Sequence, residues 1–328
     1  MRPPVWFERT VLPDLVPEVE QIVTLLGPAT DDDPHAGIDG AQAIVAGVFT
    51  YDADFMDGAP DVKVIARTGI GVDTVDVPEA TRRGIAVCNA PDGPTVSTGE
   101  HAVMLMLAVA KNLKQSEADL RAGAGNYYAN HSAIELSGKT LGLLGFGRIA
   151  RSVAGVALGL GMNVIAHDPH LDEDAFPPGV TRARDLGELL GAADVVSVHV
   201  PLSDETRHLV DAAAFAAMRT GAVFINTARG GLVDHDALLG ALESRHLHGA
   251  GLDVTDPEPL DPDHPLLHRH DVIVTPHVAS GTHAGKRRIF RTALDQVVHV
   301  LRGERPPHLV NPEVWERIES EYTKERDA

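Results

Sequence analysis

The 328-residue chain has a single cysteine, Cys88, so it can close no internal disulfide and offers no thiolate cluster to a metal. Within the apolar run 85–88 that thiol reads as a small buried side chain rather than a nucleophile. No apolar stretch approaches the roughly 18 to 20 residues that cross a bilayer, so no membrane partner is expected. Basic residues are few: 28 Lys and Arg against 47 Asp and Glu leave a formal charge of −19. A field of that sign repels polyphosphate backbones and argues against nucleic acid as a partner. Internal repeats and low-complexity segments are also lacking. The opening MRPPVWFERT has no basic-then-apolar leader layout, which points to a cytoplasmic protein. What remains is an ordinary globular composition, 44% hydrophobic and 23% charged, with length enough for two domains.

Short runs rich in Val and Ile alternate with longer helical patterns, at 43–46, 62–66, 85–88, 140–144, 163–166, 195–200, 222–226 and 272–275. Continuous apolar strands of this kind are expected where helices cover both faces of a parallel sheet. Ser97-x-x-Glu100 has the capping-box spacing and precedes the apolar stretch 101–113, so a long helix is expected to start there. The stretch 123–137 is polar and irregular, and a fresh strand pattern begins at Thr140. The reading is an α/β protein of two Rossmann- or flavodoxin-like parallel-sheet domains with a cleft between them. One domain takes residues 1–99 and 288–328, the other 100–287. Residues 286–302 read as a helix returning to the first domain, and the charged tail after Pro306 as partly mobile.

Residues 140–150, Thr-Leu-Gly-Leu-Leu-Gly145-Phe-Gly147-Arg148-Ile149-Ala150, give a strand, a G-x-G-x-x-A turn and a helix start. Gly145 allows the tight turn, Gly147 lets backbone approach a pyrophosphate, and Ala150 is small enough for close helix–strand packing. The helix N-terminus presents free amides and a partial positive charge to phosphates. Asp168 lies 21 positions beyond Gly147, at the end of the next strand, where a carboxylate accepts from a ribose 2′-hydroxyl and repels a 2′-phosphate. NAD is therefore favoured over NADP.

Three further strand ends carry chemistry. Arg229 follows strand 222–226, Glu258 follows the short strand 249–253, and His277 follows the run 272–274. Taken singly these read as a surface ion-pair former, a turn residue between prolines and a loop histidine. Downstream of a dinucleotide turn they supply what carbonyl reduction requires. Arg229 can grip a substrate carboxylate in a forked contact and polarise the adjacent keto oxygen. His277 can give a proton to the developing alkoxide or take it back. Glu258, where it contacts His277, stabilises the imidazolium. His264, His268 and His270 cluster nearby, but their surroundings read as a polar loop rather than a metal site.

These residues, with Asn89-Ala-Pro-Asp-Gly-Pro-Thr-Val-Ser-Thr-Gly-Glu100-His101, His199-Val200-Pro201 and Asn226-Thr227-Ala228-Arg229-Gly230, resemble the D-isomer-specific 2-hydroxyacid dehydrogenases over residues 43–300. The likeness is to short, phosphoglycerate dehydrogenase-like members. It implies that Arg229, Glu258 and His277 are the catalytic Arg, Glu and His. It places Ile70 and Gly71 in the segment whose amides receive the substrate carboxylate. Thr98, Gly145, Gly147, Arg148, Ile149, Asp168, His199, Val200, Pro201, Thr206, Thr227, Ala228 and Asp253 correspond to positions lining NAD, with Asp253 beside the nicotinamide amide. It further implies a homodimer through the cofactor domain, with 123–137 either part of that contact or a surface loop.

The expected substrate is a small anionic 2-keto or 2-hydroxy acid. Arg67, just before the carboxylate-binding segment, matches a pattern of phosphoglycerate dehydrogenases that suggests an anionic substrate tail, whereas the residue alone reads as an Arg paired with a nearby carboxylate. Reduction of hydroxypyruvate or glyoxylate stays open. An alternative of another class is an NAD-sensing, corepressor-like binding protein with the same fold.

Overall fold

The computed structural model describes residues 2–30 and 32–327, with side chains to residue 323. Residues 1–94 with 282–328 form one compact unit and residues 95–281 another. Both crossings lie somewhat N-terminal of the expected boundaries, because each coincides with a helix start: helix Thr95–Ala110 belongs wholly to the second unit and helix His283–Leu301 to the first.

The first unit is a five-stranded parallel sheet of β1 (Pro4–Phe7), β2 (Thr24–Leu26), β3 (Ala43–Ala46), β4 (Val64–Arg67) and β5 (Ala86–Cys88), in the order β2-β1-β3-β4-β5. Side chains alternate between two cores. Val5, Phe7, Ala43, Val45, Val64 and Ala66 face one, where Leu294, Val297 and Val300 of helix His283–Leu301 cover them. Trp6, Ile44, Ala46 and Ile65 face the other. Double-sided burial is the reason these strands read as unbroken apolar runs. β1 and β2 escape sequence reading: β1 opens on proline after proline, and β2 is a three-residue edge.

The tail after Pro306 departs from expectation. Val314, Trp315 and Ile318 are buried in the first unit's core. Asn311 accepts from the Val87 amide at 2.8 Å and donates to the Ile85 carbonyl at 3.0 Å. This segment is part of the fold, since apolar anchors sit among its charges. Cys88 is fully buried, and burial pushes its thiol up to about 12.

The second unit is a seven-stranded parallel sheet of β6 (Thr140–Leu144), β7 (Asn163–His167), β8 (Val180–Arg182), β9 (Val195–Val198), β10 (Ala222–Asn226), β11 (Leu247–Leu252) and β12 (Val272–Val274), ordered β12-β11-β10-β9-β6-β7-β8. Along β10, Ala222 and Phe224 enter one core while Val223 and Ile225 enter the other. The strand order reverses at β6 and β9, and in open parallel sheets ligands bind beyond the carboxyl ends at such a switch point. β8, short and with two of its three side chains exposed, gave no pattern to read.

Helix Thr95–Ala110 begins two residues before the expected cap: Ser97 and Thr98 are buried inside its first turn. Pro94 explains the earlier start, because its fixed φ suits a helix entrance. The helix also stops short of 113, at Ala110, and Asn112 takes a left-handed φ of 50° before a second helix, Leu113–Ala122. The expected irregular stretch contains one helical turn, Tyr127–Asn130. Among the described residues no helix is long and apolar enough to cross a membrane.

In the first unit a buried carboxylate shapes the loop after β3. Glu8, 4% exposed, accepts from the amides of Gly47, Val48 and Phe49 at 2.5, 2.6 and 3.3 Å and from the Tyr51 hydroxyl at 2.6 Å. Burial and the Glu8 charge raise the Tyr51 pKa, so the phenol stays a donor. Replacing Glu8 with Leu leaves three amides and a hydroxyl unanswered. Unfolding in urea is expected to lose about 3 kcal/mol or more, against about 1 to 2 kcal/mol for Tyr51→Phe. Equal stability of Glu8→Leu and the parent would show that this anion organises nothing.

Candidate active site

Because every strand of the second unit runs the same way, the residues that follow them gather along one sheet edge. Gly145 follows β6 with φ +86°, and a Cβ there would lie 2.8 Å from the His199 carbonyl oxygen. Only glycine lets the turn pass so close to the residue after β9. Gly147 then caps helix Arg148–Gly159 in an extended conformation with no side-chain cap, and nothing stands within 4 Å of where its Cβ would be. A ligand can therefore approach the backbone closely at Gly147, where the helix begins. Arg148 is exposed, Ile149 half-buried and Ala150 fully buried.

Asp168, just past β7, is held from both sides: Oδ2 accepts from the Phe146 amide and Oδ1 from the His170 amide, each at 3.0 Å. The carboxylate is thus tied to the middle of the glycine turn. His199 lies 2.9 Å from the Ser197 hydroxyl through Nε2, and burial lowers its pKa from 6.5 to about 4, keeping the imidazole neutral. Val200 and Pro201 continue this edge. Thr206 closes their loop, donating to the Pro201 carbonyl at 2.8 Å and accepting from the Ser203 amide at 2.7 Å.

After β10, the Thr227 hydroxyl is buried without a partner among the described residues. A buried orphan hydroxyl is costly unless something else meets it. Together with the exposed Gly147 at the helix start and the fixed Asp168 carboxylate, it fits a dinucleotide laid along this edge. Thr98 is buried in helix Thr95–Ala110.

Asn226, fully buried, braces the next turn in two directions. Its Oδ1 accepts from the Ala228 amide at 3.0 Å and its Nδ2 donates to the Arg229 carbonyl at 2.8 Å. Arg229 also donates from Nη1 to the Ala228 carbonyl at 2.7 Å. At Gly230 an added Cβ would lie 2.0 Å from the Thr255 carbonyl group, so the Arg229 turn abuts the segment that leads to Glu258. Sequence reading singled out Arg229 and passed over Asn226.

Glu258 and His277 meet, with His277 Nδ1 2.6 Å from Glu258 Oε1. A carboxylate only accepts, so Nδ1 carries the proton it donates and Nε2 is left for exchange with a ligand. Both side chains stay accessible, 39% and 45% exposed for Glu258 and His277. His277 has φ +51°, a left-handed backbone that a non-glycine residue adopts only when its surroundings enforce it. Asp253 supplies much of that enforcement. Its side chain is fully buried and accepts from the Thr275 hydroxyl and the Val278 and Ala279 amides, at 2.6, 2.9 and 2.8 Å.

The other predicted residues lie on the first unit. The carbonyls of Gly69, Ile70 and Gly71 are tied back by the Ala90 amide, Asn89 Nδ2 and Arg67 Nε, at 2.8, 2.8 and 3.1 Å. The amides of Ile70 and Gly71 have no acceptor among the described residues. Two successive amides left without an acceptor are available to an anion. Arg67 is buried, 9% exposed, and its Nε supports this loop from below. His264, from the histidine cluster, caps the turn Pro265–His268 by accepting from the Leu266 amide at 3.3 Å.

Residues 103–279 match the family model described as D-isomer specific 2-hydroxyacid dehydrogenase, NAD binding domain. The chain is 41% identical over 259 residues to D-3-phosphoglycerate dehydrogenase of Methanocaldococcus jannaschii, covering 79% of this chain and 49% of that protein. It is 40% identical over 268 residues to glyoxylate reductase of Thermofilum pendens, covering 80% and 79%. The chain thus spans about half the length of that phosphoglycerate dehydrogenase and most of the glyoxylate reductase. Among solved structures, D-lactate dehydrogenase from Aquifex aeolicus, complexed with NAD and lactic acid, superposes with a TM-score of 0.81 at 28% identity, over 94% of this chain and 98% of that one. With its dinucleotide turn, its paired Glu258 and His277 and these matches, the chain belongs to the D-isomer specific 2-hydroxyacid dehydrogenase family.

Proposed function

We propose that this protein is an NAD-dependent D-2-hydroxyacid dehydrogenase, interconverting a small 2-keto acid and its 2-hydroxy acid. The observation that carries the proposal is the 2.6 Å Glu258–His277 contact on the sheet edge that also bears the glycine turn and Arg229. A bound nicotinamide supplies or accepts the hydride. The chain's own groups do the rest. Arg229 binds the substrate carboxylate and draws electron density from the keto oxygen. His277 Nε2 gives a proton to that oxygen as it becomes an alkoxide, and takes it back in the oxidative direction. Glu258 holds the ring's tautomer and stabilises the imidazolium. Ile70 and Gly71 offer amides to the carboxylate, and Arg67 acts by holding their loop.

Around the cofactor, the roles fall to Thr98, Gly145, Gly147, Arg148, Ile149, Asp168, His199, Val200, Pro201, Thr206, Thr227, Ala228 and Asp253. Two substrate classes follow from the relatives' names, 3-phosphoglycerate on one side and glyoxylate or hydroxypyruvate on the other. The exposed Tyr127, Tyr128, Leu113 and Leu120 support a homodimer through this unit. A cytoplasmic setting suits a chain whose one thiol is buried and unpaired.

The test is a spectrophotometric screen of 2-keto and 2-hydroxy acids, 3-phosphoglycerate included, with NAD(H) and NADP(H) in parallel. Turnover is expected with NAD(H), and His277→Asn is expected to lower kcat about 100-fold or more. NADH binding with no turnover of any acid would instead favour a sensor. A second outcome concerns the cofactor. Asp168→Ser removes the carboxylate that repels a 2′-phosphate, so the NADPH-to-NADH ratio of kcat/KM should rise about tenfold or more. An unchanged ratio would show that Asp168 does not read the ribose.

A further inference from the structure

His277 sits at the apex of a five-residue turn, 275–279, wound around a single carboxylate. The His277 amide donates to the Asp253 carbonyl at 2.7 Å, while Thr275, Val278 and Ala279 donate to the Asp253 side chain. Left-handed backbone is costly for a non-glycine residue. The turn persists because these four bonds over-determine it.

One more side chain reaches this knot. His101, on helix Thr95–Ala110, has its Nε2 2.9 Å from Thr275 Oγ1 and 3.4 Å from Asp253 Oδ1, and only 15% of its side chain is exposed. The Thr275 hydroxyl has one proton and gives it to Asp253, so its oxygen is the acceptor and His101 Nε2–H the donor. The same helix is pinned at its first turns. At Gly99 an added Cβ would lie 2.9 Å from Ser152 Oγ, on the helix that follows the glycine turn. A rigid element therefore presses a donor onto the Thr275–Asp253 pair.

We infer that His101 is a positioning residue for proton transfer: through Thr275 and Asp253 it holds the His277 turn in its left-handed form and so keeps Nδ1 on Glu258. This rests on the dehydrogenase reading, in which His277 moves the proton. His101 touches neither side chain of the pair; it acts through the backbone that carries His277.

The experiment uses the whole chain with His101→Leu and His101→Gln, each alone and combined with Glu258→Gln. Glutamine can place an amide donor near the Nε2 position; leucine cannot. With the best keto acid from the screen, His101→Leu is expected to lower kcat about 10- to 100-fold, as a misplaced catalytic group does, with the KM for NADH little changed. His101→Gln should restore most of that rate. In the Glu258→Gln background the loss should shrink, because the neutral amide has already weakened the contact that His101→Leu misplaces. Multiplicative losses, or a folded His101→Leu protein with parental kcat, would overturn the inference.

A readout independent of turnover is the ring 15N shifts of His277, identified by their absence in His277→Asn. They should move in His101→Leu toward their Glu258→Gln values and stay parental in His101→Gln. Unmoved shifts in His101→Leu refute the positioning role even if the parent reduces no keto acid, a result that would sink the dehydrogenase reading separately. Should His101→Leu not fold, Thr275→Val severs the same link and carries the same expectations.

Discussion

An imidazole is useful for proton transfer only when one nitrogen is committed and the other is free, and the contact between Glu258 and His277 Nδ1 makes that commitment. Everything around the pair in the second unit serves to hold it still. The left-handed turn is wound on Asp253, Asp253 is fed donors by the turn itself and by Thr275, and Gly230 seats the Arg229 turn against Thr255. Buried polar groups that are fully answered add specificity of geometry more dependably than stability. That is the use made of Asp253 and Asn226 here, both buried and both spent on fixing backbone turns at strand ends.

The sheet and the glycine turn were legible in the sequence for one reason: strands buried on both faces leave continuous apolar runs, and β3, β6 and β10 match their runs residue for residue. Where burial was one-sided or the strand short, as in β2 and β8, the signal vanished. Local chemistry misled at Ser97, whose capping spacing is real but whose place is inside a helix already begun at Thr95. The tail misled through composition, since the charges around Trp315 and Ile318 outweighed two decisive anchors. The catalytic candidates were visible as residue types at strand ends. Their supports were not, because His101 and Thr275 stand 174 residues apart in the chain and nothing local to either announces the other.

Charge is handled differently in the first unit. Glu8 and Arg67 are both nearly buried, and both are used to shape loops at the carboxyl ends of strands. Glu8 draws three amides inward after β3. Arg67 does the converse after β4, drawing a carbonyl inward so that the neighbouring amides are left unclaimed. A cation used in this way acts indirectly, by orienting the amide dipoles of the loop it holds.

The formal charge of −19 sets a constraint that these dipoles must overcome, because both proposed ligands are anions. Long-range repulsion from a dispersed acidic surface is screened beyond about 8 Å at physiological ionic strength. Contacts made at hydrogen-bond distance in partly buried surroundings are screened far less. In the proposed reading, the helix N-terminus at Gly147 and the Arg229 guanidinium of the second unit, and the amides of Ile70 and Gly71 of the first, would each act at that shorter range. His199 adds no charge near the glycine turn, since burial holds it neutral down to about pH 4. Affinity for an anion is in that reading set by a few oriented donors rather than by the sign of the whole molecule, so a strongly acidic surface is no obstacle to binding a dinucleotide and a carboxylate.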